Sequence, residues 1–457
     1  VTLLAEVNAL LDEVEAAVRD RGVRFLRIEV ADLHGIARSK MVPAKRLKTV
    51  ARSGLNFPLP PLALDVQCEA VEGTGYLEER GYPDVTLVPD FATFAVLPFS
   101  EGTARIIADP HHAASGESVL AASRTVARKV FNEAAALGFD VLSGFEYEFY
   151  LLDPATLEPA TGTVRQFASF EDADRALLFE IADALDALGI EVTTFNLEYG
   201  PSQFEVNFAP AWGLHAADQA YTFKNAVKEI AAKSGRLASF ITKPSISRSA
   251  NGLHYNQSLW IDGRNAFADR SRSDGLSVAG RHFVAGQLHH APALTALFAP
   301  TVNCGKRFRP HSFAPFEADW AFGNRTVALR VKGAGGENIH VENRLGAGAA
   351  NPYLVAAASL AAGLDGIRRA LTPPPLRAPG DEATRFAPLP TSLEGALAAL
   401  EADPVIASAL GSEFVKVFTS VKRHEIAKAR RAIQGFDDPS FHNRVDPWEL
   451  TELATAL

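Results

Sequence analysis

One stretch constrains this chain more than any other: Val141-Leu142-Ser143-Gly144-Phe145-Glu146-Tyr147-Glu148-Phe149-Tyr150-Leu151-Leu152 sets two acids inside an aromatic and aliphatic run. Such a composition is that of a largely buried strand. Side chains alternate along a strand, so Glu146 and Glu148 point to the same face. Neighbouring carboxylates repel unless a proton or a cation lies between them. Either that face is open to solvent, or something positive sits on it.

Three later runs repeat the problem. In Asn196–Val206, the turn signal Gly200-Pro201-Ser202 separates two extended pieces. A hairpin there sets Glu198 and Glu205 opposite each other, which disfavours pairing unless a cation intervenes; two exposed hairpin acids are the alternative. In Asn251–Trp260, His254, Asn256 and Ser258 share one strand face. A lone histidine there would ordinarily be a hydrogen-bonded structural residue. In Ile339–Arg344, His340, Glu342 and Arg344 share a face.

Taken together, Glu146, Glu148, Glu198, Glu205, Glu342 and His254 form an oxygen-rich donor set with one imidazole, suited to Mg²⁺ or Mn²⁺. Two or more such ions beside basic residues are a common way to bind a nucleotide polyphosphate. Basic residues follow in Asn303–Pro310, with Lys306, Arg307 and Arg309, and in Asn324–Arg330, with Arg325 and Arg330. The arginine fork matches carboxylate and phosphate, although surface arginines on loops would read the same way. No Walker-type or Rossmann glycine loop is present, so a nucleotide would be held by other means.

Composition narrows the partners. Lys+Arg 45 against Asp+Glu 54 gives a net charge of -9, which argues against nucleic acid. With 47% hydrophobic and 22% charged residues over 457 positions, disorder and fibrous repeats are excluded. Cys68 and Cys304 are the only cysteines, which excludes a disulfide framework, makes a zinc cage unexpected and favours a reducing cytoplasm. No apolar run reaches the ~18–20 residues of a membrane span, and the acids in Val1–Asp20 are unlike a signal peptide.

Periodicity predicts an amphipathic helix over Val1–Arg21 and then a small, strand-dominated unit to about residue 110. Beyond it, strands alternate with helices over Ser118–Leu137, Asp172–Leu188, Asp218–Lys233, Val278–Leu297 and Pro352–Leu371. Pro373–Pro390 reads as an exposed loop, followed by helices over Leu393–Leu400, Pro404–Leu410 and Ser412–Gln434. The expected fold class is α+β.

In their order, these runs resemble the glutamine synthetase family over nearly the whole chain. The likeness rests on Tyr82–Asp90, Phe145–Phe149, Glu198–Glu205, Lys243-Pro244 with Asn251–His254, Asn303–Arg307, Asn324–Arg330, and Glu342–Arg344 with Asn351–Tyr353. It implies a β-grasp-like N-terminal domain over 1–110 and a catalytic domain over 111–457. It also implies a ring-shaped homo-oligomer, commonly a dodecamer, with active sites between subunits. By the same resemblance, Glu148, Glu198 and Glu205 would hold one metal, and Glu146, His254 and Glu342 a second. Arg307 and Arg344 would grip the carboxylate of glutamate beside the Asn251-Gly252 backbone. Arg325 and Arg330 would act catalytically on the ATP phosphates, with Asn256 and Ser258 lining the nucleotide site. The implied reaction transfers the γ-phosphoryl group of ATP to the glutamate γ-carboxylate, after which an amine displaces phosphate.

Departures from the family pattern sharpen the expectation. Phe313 stands where glutamine-forming members carry an ammonium-binding Glu, and Leu55–Asp65 lacks their Asp-Gly-Ser-Ser motif. Capturing NH₄⁺ needs negative charge, whereas an aromatic ring offers apolar surface. The chain therefore resembles the amine-ligating branch, with a neutral or apolar amine expected. An arylamine would fit because it is already unprotonated at neutral pH, and a short alkylamine or amino alcohol stays open. Glutamine formation from ammonia, or a catalytically silent structural role, are the competing expectations. Asn256 replaces the family's second His and His340 its Arg, which implies weaker or more pH-dependent ATP use. The adenylylated Tyr loop of bacterial members has no match.

Overall fold

Two sheets carry the strands of the computed structural model, which describes residues 2–161, 166–169, 172–309, 312–381 and 386–457. Helix α1 (Thr2–Asp20) precedes β1 (Phe25–Ala31), β2 (Ala37–Pro43), helix α2 (Leu47–Ser53), β3 (Leu55–Pro58), β4 (Asp84–Pro89), β5 (Ala95–Val96) and β6 (Thr103–His112). These strands pair in the order β2-β1-β6-β4-β3, with β5 also against β6. Only β1 and β6 run parallel. Alternation fixes the buried face: Leu26, Ile28 and Val30 of β1 point into the core.

Helix α3 (Ser123–Ala136) starts later than its periodicity suggests, because Ser118 bridges to His111 and Ala122 is still extended. The second sheet then builds from β7 (Asp140–Leu152), helix α4 (Asp172–Ala187), β8 (Val192–Leu197), β9 (Gln203–Phe208), β10 (Ala211–Trp212), helix α5 (His215–Lys233), β11 (Leu237–Ser239), β12 (Gly252–Ile261) and β13 (Arg264–Asn265). After helix α6 (Val278–Phe298) come β14 (Trp320–Phe322), β15 (Leu329–Lys332) and β16 (His340–Ala347). This sheet has ten strands, along the path β14-β15-β16-β12-β7-β9-β8. The class is α+β, as expected.

The central strand β7 explains where the acids go. Phe145, Tyr147, Phe149 and Leu151 are buried, and Tyr147 and Phe149 pack on Phe223 of α5 and on Phe240. Each fully buried ring contributes ~1.5–3 kcal/mol. Glu146 and Glu148 must then face the opposite side. Behind the sheet, α6 crosses helix α7 (Pro352–Arg368), whose N-cap Asn351 also donates to the carbonyls of Asp32 and Leu33, tying the two sheets together.

The described part of Pro373–Pro390 holds no helix or strand, and residues 382–385 lie outside the described residues. Helices α8 (Leu393–Ala402), α9 (Pro404–Leu410) and α10 (Ser412–Ala432) match expectation closely. A final helix, α11 (Pro447–Leu453), was not read from periodicity, being too short to show one. Among the described residues no single helix is long and apolar enough to cross a membrane.

The α6–α7 crossing leaves no room for side chains at two glycines. A Cβ on Gly286 would lie 2.1 Å from the Ala362 carbonyl oxygen, and one on Gly366 would lie 2.0 Å from that of His282. Gly286→Ala or Gly366→Ala should therefore destabilise the fold by ~1–3 kcal/mol through overpacking. Urea denaturation checks this, and an unchanged midpoint for both would contradict the packing.

Candidate active site

Register across β7 assembles the site. Glu146 lies opposite His254 of β12 on one side and Asn207 of β9 on the other, while Glu148 lies opposite Glu205 of β9. The like-charge pair facing across strands is therefore Glu148 with Glu205. The expected Glu198–Glu205 opposition does not form: Asn196 pairs with Glu205, and the Glu198 N–H donates to the Gln203 carbonyl at 2.8 Å. The cause is the tight turn, closed by Gln203 N–H donating to Gly200 O at 3.2 Å, which shifts the register. Glu198 still shares the face with Asn196, whose amide donates to it at 2.9 Å.

Donor atoms of Glu146, Glu205 and His254 lie within 4.8 Å of one another. This trio draws members from both metal sets implied by the resemblance. His254 Nδ1 is 3.4 Å from Glu146 Oε2 and 3.7 Å from Glu342 Oε1. Glu148 accepts from the Gly252 N–H at 2.9 Å and from Gln203 Nε2 at 3.3 Å. Glu342 is held between Arg344 Nη1 at 2.8 Å and Arg330 Nη1 at 3.1 Å.

Charge is poised unevenly over this face. Burial, with Glu198 and Glu205 adding repulsion, pushes Glu148 up to about 8. Glu205 is pushed up to about 7 by burial and by Glu146, and burial also raises Glu198. Burial works against the charge on Glu146, but His254, Lys332 and the Asn256 amide outweigh it and hold it below the ordinary carboxylate range. Burial and Arg344 lower His254, leaving the neutral imidazole that a metal requires. The crowded, buried acids are a donor set that a divalent ion would satisfy. By contrast, the group Asp65, Glu69 and His424 is already neutralised by Lys428, whose Nζ lies 2.7 Å from Asp65 and 3.1 Å from Glu69.

Arginines border the acids. Arg307 is buried, donates to the carbonyls of Leu345 and Arg344 at 3.1 Å each, and is pushed down by burial to about 10 despite Glu148. A Cβ on Gly252 would sit 3.2 Å from Arg307 Nη2, 3.3 Å from Glu148 Oε1 and 3.4 Å from His254 Nε2. Gly252 thus keeps open the space where all three converge. The Asn251 side chain serves the fold, donating to Ile241 O at 2.8 Å and accepting from Gln203 at 3.0 Å. Arg325 is exposed, and its charge reaches Glu198 and Glu205.

Beside the acids lies a cavity of about 480 Å³ lined by Glu146, Asn256, Ser258, Trp260, Lys332 and His340, among others. Asn256 donates to Glu146 at 2.8 Å, and Ser258 accepts from the Trp260 indole at 2.9 Å. His340 Nδ1 contacts Asn338 O at 2.6 Å, and burial together with Lys332 lowers its pKa, so it is uncharged at neutral pH. At the other edge, Phe313 is exposed with φ 56 and stacks on Tyr199, ring centroids 5.9 Å apart at 18°. Pro310 and His311 of the same run lie outside the described residues.

Sequence reasoning missed Lys332, Gln203 and Tyr199. Lys332 stands 3.4 Å from both Glu146 and Asn256, and its alternation with Arg330 on β15 was a usable signal. Gln203 sits in the quoted hairpin, but its link to Glu148 depends on the register. Tyr199 gave no signal.

A family model described as "Glutamine synthetase, catalytic domain" matches residues 120–438. The chain belongs to the glutamine synthetase family. Members generally use ATP and divalent metals. Among relatives, a glutamate–isopropylamine ligase of Pseudomonas sp is 31% identical, covering 93% of this chain and 96% of its own. Human lengsin is 32% identical, over 92% of this chain and 84% of its own. A glutamine synthetase of Thermus thermophilus is 33% identical, over 96% and 97%. The solved structure titled "Apo GmaS without ligand" superposes with TM-score 0.82 at 30% identity, covering 95% of this chain and 97% of that one.

Two outcomes follow. Raised folded-state pKa values at Glu148 and Glu205 mean that stability of the metal-free chain is full below the ordinary carboxylate value of 4.5 and is lost as pH rises from there to about 7 for Glu205 and about 8 for Glu148. The gain in Tm on adding Mn²⁺ should therefore be larger at about pH 8 than at about pH 6; equal gains would show that these acids do not take the ion. Gly252→Ala should reduce the same Mn²⁺ gain and lower kcat/KM at least about tenfold, with wild-type values counting against the crowded arrangement.

Proposed function

We propose that this enzyme is an ATP-dependent ligase that joins the γ-carboxylate of glutamate to a neutral or apolar amine through a γ-glutamyl phosphate. Glu148, Glu198 and Glu205, with Glu146, His254 and Glu342, would hold two or more Mg²⁺ or Mn²⁺ ions. When bound, those ions neutralise charge on the transferring phosphoryl group. Arg330, already turned to Glu342, and the exposed Arg325 sit on the phosphate side. The 480 Å³ cavity accommodates the nucleotide between Asn256, Ser258 and His340. Arg307 and Arg344 grip the carboxylate of the amino acid near the Asn251-Gly252 backbone.

The observation that carries the choice of amine is the Phe313–Tyr199 stack. Two aromatic faces border the acidic cluster, and the segment Phe308–Phe316 contains no acid to hold ammonium. Apolar surface there favours an amine that arrives uncharged and brings its own hydrocarbon. The similarity to a glutamate–isopropylamine ligase supports this reading. That of a glutamine synthetase at 33% identity favours ammonia instead.

Phosphate release with glutamate, ATP and a panel of ammonium, isopropylamine and aniline decides between them. The best organic amine should exceed ammonium in kcat/KM by at least about tenfold, a difference of ~1.4 kcal/mol in transition-state binding. Phe313→Glu should narrow that ratio. Ammonium as the best substrate would establish glutamine formation, and no turnover with any amine would establish a silent member.

A further inference from the structure

The loop that carries Arg307 is held by β16, through the Arg307 bonds to Leu345 and Arg344, and also by α11. Lys306, fully buried beside it, forms an ion pair with Glu449 of α11, itself fully buried. The Lys306 ammonium also lies 3.8 Å from the centroid of the Phe441 ring. On the same carboxylate, Glu449 Oε1 accepts from Asn303 Nδ2 at 3.0 Å, and Oε2 accepts from the Asp446 N–H at 2.8 Å in the capping box of α11. Both oxygens of this carboxylate therefore accept, from three donors in all, as a buried charge requires.

Asn303 extends the connection. Its Oδ1 accepts from the Lys243 N–H at 2.7 Å, and its Nδ2 donates to the Lys243 carbonyl at 2.9 Å. Lys243 opens the segment that ends at Asn251-Gly252, and the Asn251 N–H returns to the Thr242 carbonyl at 2.7 Å. The Glu449 carboxylate braces Asn303 and Lys306 together, and Asn303, at the start of the Arg307 loop, thus joins that loop to the one leading to Gly252. Those are the two backbone pieces between which a Cβ at Gly252 would sit only 3.2 Å from Arg307 Nη2. The spacing between them sets the width of the space that the substrate carboxylate would enter.

We propose that Glu449 is a positioning residue for the amino-acid subsite: through Lys306 and Asn303 it fixes the distance between the Arg307 guanidinium and the Gly252 backbone, so that α11 acts as a latch on glutamate binding. This rests on the reading of Arg307 as the grip on the acid substrate. Glu449→Gln keeps the shape and the Asn303 contact but leaves the buried Lys306 charge unpaired, which lets the loop shift.

Steady-state kinetics of the full chain test this, with glutamate and ATP varied separately. Glu449→Gln and, independently, Asn303→Ala should each raise the KM for glutamate at least about fivefold while the KM for ATP stays within about twofold. Combining Lys306→Met with Glu449→Gln removes both buried charges and should bring the glutamate KM back to within about threefold of wild type. A residue with only a structural role would instead lower kcat through fewer active molecules and leave KM unchanged. That result, or a wild-type glutamate KM in whichever of the two single variants is soluble, overturns the proposal. Should the wild-type chain itself show no glutamate-dependent phosphate release, the functional reading fails first and takes the latch with it.

Discussion

Everything in this structure bends around one electrostatic problem: acids from β7, β9 and β16 crowd onto one face of a sheet whose other face is packed with aromatic rings. Burial of Tyr147 and Phe149 against Phe223 and Phe240 locks the register of β7. A slip by one residue would bury Glu146 and Glu148 and expose the rings, so the hydrophobic face enforces the polar one. The carboxylates cannot move apart. Burial and mutual repulsion push them toward the protonated form, Glu148 up to about 8 and Glu205 up to about 7, or they pair with cations.

The compensation is local and graded. Glu342 lies between two guanidiniums, Glu146 beside a lysine and an amide, and Glu148 against the Gly252 N–H. Glu148 and Glu205 face each other, with no ion pair to either among the described residues. That imbalance distinguishes this cluster from Asp65 and Glu69, where Lys428 already supplies the charge. Clustered acids alone would not separate the two. The difference lies in whether the protein has completed the ion pair itself.

Much of the site was legible in advance because strands broadcast their faces. Alternation put Glu146 with Glu148, His254 with Asn256 and Ser258, and Glu342 with Arg344, and each grouping stands in the fold. The hairpin was less legible: the sequence marks a turn at Gly200–Ser202 but not which residues close it, and the register that forms sets Asn196 of β8 opposite Glu205, while Glu148 faces Glu205 from β7 on the other side. Helix α3 began late because Ser118 found a strand partner in His111, a choice local periodicity does not record. Helix α11 carried a capping signal in Asp446-Pro447-Trp448-Glu449, yet seven residues are too few for a period to show.

By itself the amino-acid order determined the α+β class, the central acidic strand, the aromatic residue at 313 and the likeness to a family of ATP-using ligases, because each of these depends on neighbours in sequence or on residue identity alone. Tertiary structure decided which acids oppose each other, that Lys332 and Gln203 join them, that Phe313 meets Tyr199, and that Glu449 reaches the Arg307 loop across more than a hundred residues of intervening chain. Those pairings arise from strand register and buried ion pairs between distant segments, and no local pattern encodes a distance that only packing sets.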